Sequence, residues 1–297
     1  MADPGTNTTT ASARLADQMQ KIIEKRLAED KLVLPTLPTA ITQSLELMKN
    51  PNTPTRDIAA IIEKDPMVAV QLVKLANSAA MGTREPIKRV NDAAVRLGMN
   101  KLKTFLVEVG ARRVFESKDT RIIALNKKIW EHSVVVAAVA ADIAALASVQ
   151  DAEFAYLAGL LHDIGKPIVG SMLLEAERSI RLTRPDAVWI SPEDWLSVVQ
   201  RIHRPVGVLV AKKWELPEPA LRAIRDCEDY DSAERNSAAN AVRLANAVVK
   251  EQGVYESAVN KDDVEAMVMI GQSVLGVDIS ACRQLVGSVQ AAVRSFA

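Results

Sequence analysis

The chain of 297 residues holds three histidines, His132, His162 and His203, each within or at the end of an apolar run. Imidazole is costly to bury without partners. Any one of these residues alone reads better as a satisfied structural side chain. Their joint placement, and Asp163 directly after His162, point instead to a shared site. The apolar segment Phe154-Ala155-Tyr156-Leu157-Ala158-Gly159-Leu160-Leu161 delivers an imidazole and a carboxylate side by side at its C-terminal end. That pair is a ligand set for zinc, iron or manganese. Gly165 suits the left-handed turn that ends such a helix. Lys166 adds a cation one short turn away, able to meet a phosphate as a point charge.

The elements that must position these groups read as helices throughout, with no strand pattern. Residues 1–13 are polar and aperiodic and read as a disordered tail. From Arg14, apolar residues at Leu15, Met19, Ile22, Ile23 and Leu27 form the stripe of an amphipathic helix. Pro35 and Pro38 break it. Thr53 or Thr55 can cap a following helix, and Asp65-Pro66 carries an N-cap and first-turn signal for the next. Residues 122–147 are apolar on most faces and read as a central helix. Residues 152–162 follow it, and Pro205 should kink or divide a helical stretch over 193–214. Amphipathic helices are expected over 236–250, 262–275 and 279–296. The expected architecture is all-α, an HD-like multi-helix bundle over 121–297 preceded by an N-terminal helical subdomain over 14–120.

Composition narrows the function classes. The 37 basic and 37 acidic residues cancel, which gives no support to nucleic-acid binding driven by phosphate neutralisation. Two cysteines, Cys227 and Cys282, suit a reducing compartment without a disulfide framework. The polar N-terminus lacks the apolar core of a secretory signal. The longest apolar stretch, Ser133 to Ser148, is interrupted by Asp142 and reads as too short and broken for a membrane span. A cytoplasmic location is expected, with no membrane partner. An Ala/Val-rich helical surface permits a dimer without requiring one. Trp189, Trp195 and Trp214 read as core or groove residues rather than a stacking platform.

The motif Leu160-Leu161-His162-Asp163-Ile164-Gly165-Lys166 resembles the signature of the HD superfamily of metal-dependent phosphohydrolases. Trp130-Glu131-His132-Ser133 resembles the segment that supplies a first histidine ligand. Ile202-His203-Arg204-Pro205-Val206-Gly207 resembles one that supplies a later one. Leu34-Pro35-Thr36-Leu37-Pro38, Ile62-Glu63-Lys64-Asp65-Pro66 and Lys74-Leu75-Ala76-Asn77-Ser78 narrow the resemblance to the HDOD domain, an HD-related output domain of bacterial signalling proteins, over about residues 34–250. The resemblance implies His132, His162, Asp163 and His203 as metal-ligand candidates and Lys166 as the phosphate contact. It also exposes departures. Where HD-GYP relatives carry a histidine pair this chain has Cys227-Glu228, and where a late aspartate is expected it has Asn246. The Gly-Tyr-Pro element is absent. These positions are degenerate, and the remaining set suits a single divalent transition metal rather than two.

Three readings follow. The first is a non-catalytic signalling or scaffold module that keeps the fold for protein contacts or for sensing a ligand in the old pocket. The second is an HD phosphohydrolase acting on a nucleotide or cyclic dinucleotide. The third is a module that binds such a ligand without turning it over.

Overall fold

A computed structural model describes residues 5–295 apart from 79–80, 83–84, 185, 187–189 and 227–228. Among the described residues there are helices, turns and no strand. The chain divides into two compact units, one of residues 36–113, the other of the chain up to Pro35 together with everything from Val114.

Helix α1 spans Gly5–Ala28, α2 Thr39–Leu47, α3 Thr55–Ile62, α4 Pro66–Ala76 and α5 Val90–Phe115. Within residues 36–113, the apolar faces of α2 to α5 close on Ile41, Ile58, Ile62, Leu72, Leu102 and Leu106, all fully buried. Asp65 caps α4 as its sequence signal requires: its carboxylate accepts from the backbone N–H of Met67 and Val68, with Pro66 at the first helical position. Neither expected threonine caps α3. Pro54 stands at the cap position without a side-chain bond, and the Thr53 hydroxyl instead donates to the Leu47 carbonyl. Helix α5 bends at Gly98, whose φ is 74°.

The larger unit holds α1 and the later helices: α6 Thr120–Leu146, a short 3-10 turn at Ala152–Phe154, α7 Ala155–Leu161, α8 Gly165–Thr183, α9 Pro192–Lys213, α10 Glu218–Arg225, α11 Ala238–Glu251, α12 Lys261–Leu275 and α13 Ser280–Ser295. Helix α6 is central, packed by α7, α11 and α13, while α8 lies against α9. Two apolar segments, 120–146 and 152–183, are long enough to cross a membrane by length and composition. Most of the span expected to be too short is thus part of a 27-residue helix, which begins at Thr120, well before Ser133, and ends at Leu146. Most of each apolar window is buried inside the fold.

Two boundaries differ from expectation. The helix starts at Gly5, within the segment that reads as a tail to residue 13. Residues 14–35 also belong with the larger unit rather than with the smaller one. Both follow from contacts that local periodicity does not contain. Ala16, Met19 and Ile23 bury on the face that α1 shares with α8 and α9. The Ser12 hydroxyl donates to Asp194 at 2.6 Å and accepts from the Ser191 backbone at 2.7 Å, which ties α1 to the start of α9. Helix α9 also runs undivided through Pro205. Its buried face, Val198, Val199, Ile202, Val206 and Val210, holds it on either side of the lost backbone bond.

Asp119 caps α6, accepting from the Arg121 backbone N–H at 2.9 Å, and its carboxylate pairs with the Arg121 and Arg178 side chains. The bonds from Arg121 pull its pKa from an ordinary 3.8 to about 2. A carboxyl with a depressed folded-state pKa stabilises the fold above its unfolded value, and that contribution disappears as pH falls through the folded value. Asp119→Ala should therefore cost about 1 kcal/mol in urea unfolding at neutral pH. The gap to the native chain should narrow as pH falls from 4 towards 2. An unchanged gap across that interval would show that the cap does not act through its charge.

Candidate metal centre

Four helices meet at the centre. His132 comes from the middle of α6, His162 and Asp163 from the turn between α7 and α8, Lys166 from the first turn of α8, and His203 from α9. All five are at most 4% exposed. Close backbone approach makes this convergence available. A Cβ on Gly159 would fall 2.8 Å from the Ala137 Cα, so α7 can lie directly on α6. A Cβ on Gly165 would fall 1.8 Å from the His203 carbonyl oxygen. Gly165 was expected to end a helix in the left-handed region. It instead begins α8, and its missing side chain is what lets α8 reach the backbone of α9 beside His203.

Each imidazole is oriented by a backbone carbonyl. His132 Nδ1 lies 2.7 Å from the Val254 oxygen, His162 Nδ1 2.7 Å from the Gly159 oxygen, and His203 Nδ1 2.8 Å from the Gln200 oxygen. A carbonyl only accepts, so Nδ1 carries the proton and, in the neutral ring, Nε2 presents its lone pair. The Nε2 atoms of His132 and His162 are buried and without a hydrogen-bond partner. They stand 3.8 and 3.3 Å from Asp163 Oδ2. His203 Nε2 approaches the other carboxylate oxygen, Oδ1, at 3.4 Å. Burial, followed by the neighbouring His162, holds the His132 pKa well below the ordinary 6.5.

The donor set fits one transition metal. The ligand atoms of His132, His162 and Asp163 all lie within 4.8 Å of one another. Metal–ligand bonds of about 2.1 Å at tetrahedral angles place ligand atoms roughly 3.4 Å apart, close to the two separations at Oδ2. His203 stands outside that group of three, on the far carboxylate oxygen. Cys227 and Glu228 lie outside the described residues, as does Trp189. Asn246 sits half-buried on α11, the helix packed on α6.

A cation already stands at this centre. Lys166 Nζ is 2.6 Å from Asp163 Oδ2, the oxygen that His132 and His162 face. The same ammonium is 2.6 Å from Glu256 Oε1 and 3.1 Å from the Tyr255 hydroxyl. It also lies 4.6 Å from the Tyr255 ring centroid. Gln200 donates to both the Tyr255 hydroxyl and Glu256 Oε1, at 3.0 and 3.1 Å. Burial would by itself lower the lysine pKa, but Asp163 and Glu256 raise it well above its ordinary value. Burial would likewise raise Asp163, yet His162 and Lys166 hold its carboxyl well below the usual range. Burial pushes the Tyr255 phenol up to about 12. Lys166, read from sequence as a phosphate contact, is 2% exposed and acts here as an internal counter-ion.

Gln200, Tyr255 and Glu256 are the participants that sequence reasoning missed. Tyr255 and Glu256 sit in the irregular connection between α11 and α12, where no periodicity marks them. The usable signal was electrostatic. A lysine at the start of an apolar helix, one turn from a single aspartate, calls for further partners if it is buried.

Deep burial of three imidazoles and a carboxylate at the junction of four helices defines an HD-like helical protein with a histidine/aspartate centre. The comparisons with known proteins agree: residues 34–230 match the HDOD domain, and the chain belongs to that family. A protein of Treponema pallidum (strain Nichols), itself uncharacterised, is 29% identical over 223 residues, covering 74% of this chain and 40% of that protein. The chain thus spans less than half the length of this relative. Among solved structures, a candidate metal-dependent phosphohydrolase from Shewanella amazonensis SB2B superposes with a TM-score of 0.70 at 23% identity, over 94% of this chain and 99% of that one. An HDOD domain protein of unknown function from Geobacter sulfurreducens gives 0.62 at 20% identity, over 91% and 98%. A candidate signal transduction protein from Marinobacter aquaeolei VT8 gives 0.63 at 20%, over 96% and 65%. At these identities the likeness is one of fold.

Two substitutions test the geometry. Lys166→Met should lower unfolding stability by about 3–5 kcal/mol, because it leaves two carboxylates buried without their cation. A loss below about 1 kcal/mol in denaturant unfolding would contradict the ion-pair reading. Gly165→Ala, which forces a Cβ into the His203 carbonyl, should lower the melting temperature sharply. A melting temperature equal to the native one would mean that α8 and α9 do not need this approach.

Proposed function

We propose that this chain is a bacterial signal-transduction module that works by binding, to a protein partner or a small ligand, and not by hydrolysis. The observation that carries the reading is the Lys166 ammonium, seated 2.6 Å from the carboxylate oxygen that a metal shared by His132, His162 and Asp163 would need. A hydrolytic metal must hold a water at low pKa and keep a coordination position open for substrate. Here a protein cation competes for the one carboxylate in the group. Asn246, a weaker neutral ligand where HD enzymes supply an aspartate, supports the same reading.

A second reading keeps one metal. The buried Nε2 atoms of His132 and His162, both without hydrogen-bond partners, favour it. In that state His132, His162 and Asp163 would hold a single divalent transition metal, which as a Lewis acid would polarise a phosphoryl oxygen. The substrate would be a nucleotide or cyclic dinucleotide.

The deciding experiment is a hydrolysis assay on a panel of nucleotides and cyclic dinucleotides with manganese, iron or zinc added, run alongside metal analysis of the purified chain. No turnover above that of His162→Ala is expected. Metal-dependent phosphodiesterase activity that His162→Ala abolishes would overturn the binding-module reading and establish the second. A cyclic dinucleotide that raises the melting temperature without being cleaved would identify the ligand-binding form of the first.

A further inference from the structure

Residues 252–260 connect α11 to α12. The Glu256 side chain is fully buried, yet the residue as a whole is part-exposed, so its backbone faces solvent. Lys166, on the inside, is therefore covered here by one layer of chain. Among the described residues, the backbone hydrogen bonds of this layer fall at its ends. The Gly253 and Val254 N–H groups donate to the Lys250 and Val249 carbonyls, and the Asn260 carbonyl accepts from Val264. Residues 255–259 between them are held by side chains. Gly253, with φ 76°, turns the chain out of α11 in the left-handed region that favours glycine.

Those side chains meet two donors that converge on one oxygen. Glu256 Oε1 accepts from Lys166 Nζ at 2.6 Å and from Gln200 Nε2 at 3.1 Å. The same two donors reach the Tyr255 hydroxyl, at 3.1 and 3.0 Å. An ammonium and an amide N–H aimed at one point form a seat for an anion, and here the chain's own carboxylate sits in it. It fits imperfectly. Glu256 Oε2 is buried without a hydrogen-bond partner, and a buried acceptor left unpaired works against the contact. The two carboxylates on Lys166 also differ in their mounting. Asp163 stands in the turn between α7 and α8 among three imidazoles, while Glu256 stands on the irregular connection. Lys166 Nζ lies 4.6 Å from the Tyr255 ring centroid and Lys250 Nζ 4.4 Å. Two ammoniums thus adjoin the connection, and an anion from outside would restore the charge that withdrawal of Glu256 removes.

We propose that the 252–260 connection is a displaceable plug: Glu256 occupies an anion seat made by Lys166 and Gln200, and the phosphate group of a ligand takes that seat when the connection swings outward. The inference rests on the ligand-binding form of the proposed function and adds a gate to it. In the closed form Lys166 is an internal counter-ion. In the open form Lys166 and Gln200 hold the phosphate, and Glu256 stands in solvent, where a carboxylate needs no protein partner. Glu256 also borders a cleft of about 560 Å³ whose apolar lining includes Ile122, Leu125, Leu174 and Leu196. That cleft leaves room beside the seat for the body of the ligand.

The test uses the full chain, inorganic phosphate as the probe and a chelator throughout. In calorimetric titrations Glu256→Ala should bind phosphate saturably and one-to-one, at least tenfold tighter than the native chain, because the internal competitor is gone. Adding Gln200→Leu should weaken that binding several-fold. In the native chain the plug is read by chymotrypsin cleavage after Tyr255, located by mass spectrometry. Phosphate should speed this cleavage several-fold over sodium chloride of equal ionic strength, with cleavage elsewhere unchanged. The native readout keeps the test decisive if Glu256→Ala fails to fold. Equal phosphate affinity in the native chain and Glu256→Ala, no binding by that variant when folded, or cleavage after Tyr255 that is indifferent to phosphate would overturn the proposal. No nucleotide or metal is present and no turnover is read, so this test and the hydrolysis assay fail separately.

Discussion

The structure of the centre depends on one buried cation. Lys166 is among the largest fully buried side chains of the chain, and a buried ammonium is tolerated only when partners replace the water it has lost. Asp163 and Glu256 provide the charge, and the Tyr255 hydroxyl and ring complete the shell. Those requirements reach well beyond the motif. The connection between α11 and α12 has to fold over the start of α8 so that Tyr255 and Glu256 arrive. The same connection brings the Val254 carbonyl to His132 Nδ1, so one irregular segment both neutralises the lysine and orients a histidine on α6.

The centre therefore has two electrostatic states available to it in principle. Its imidazole lone pairs and carboxylate make a good single-metal donor set, and its lysine makes that carboxylate partly spoken for. On the proposed reading, this arrangement keeps an HD-like fold without hydrolysis. The carbonyl bonds keep the rings in place, and the lysine supplies the positive charge that the buried Asp163 and Glu256 carboxylates need.

Much of the fold was legible in the sequence because helices announce themselves locally. The 3.6-residue stripes, the Asp65-Pro66 start and the apolar run through α6 were all read from neighbours within a turn or two. The errors have a common physical origin. Residues 5–13 look like a tail because Ser12 has nothing to bind until Asp194 and Ser191 arrive from far along the chain. Gly165 looks like a helix terminator because its other use, a close approach to His203, involves a second helix. The histidines and Asp163 were legible as a group since their types and settings are unusual. Gln200, Tyr255 and Glu256 were not, since an ordinary glutamine, tyrosine and glutamate acquire meaning only once the buried Lys166 is seen to need them.

The most direct measurement is a cobalt(II) titration of the native chain and of Lys166→Met, followed by the visible absorption of tetrahedral cobalt. The account predicts weak uptake by the native chain, because cobalt must displace a bound ammonium from Asp163 Oδ2. It predicts at least tenfold tighter uptake by Lys166→Met, accompanied by a rise in that variant's melting temperature as the metal replaces the missing charge. Stoichiometric, tight cobalt binding by the native chain, unchanged in Lys166→Met, would contradict it.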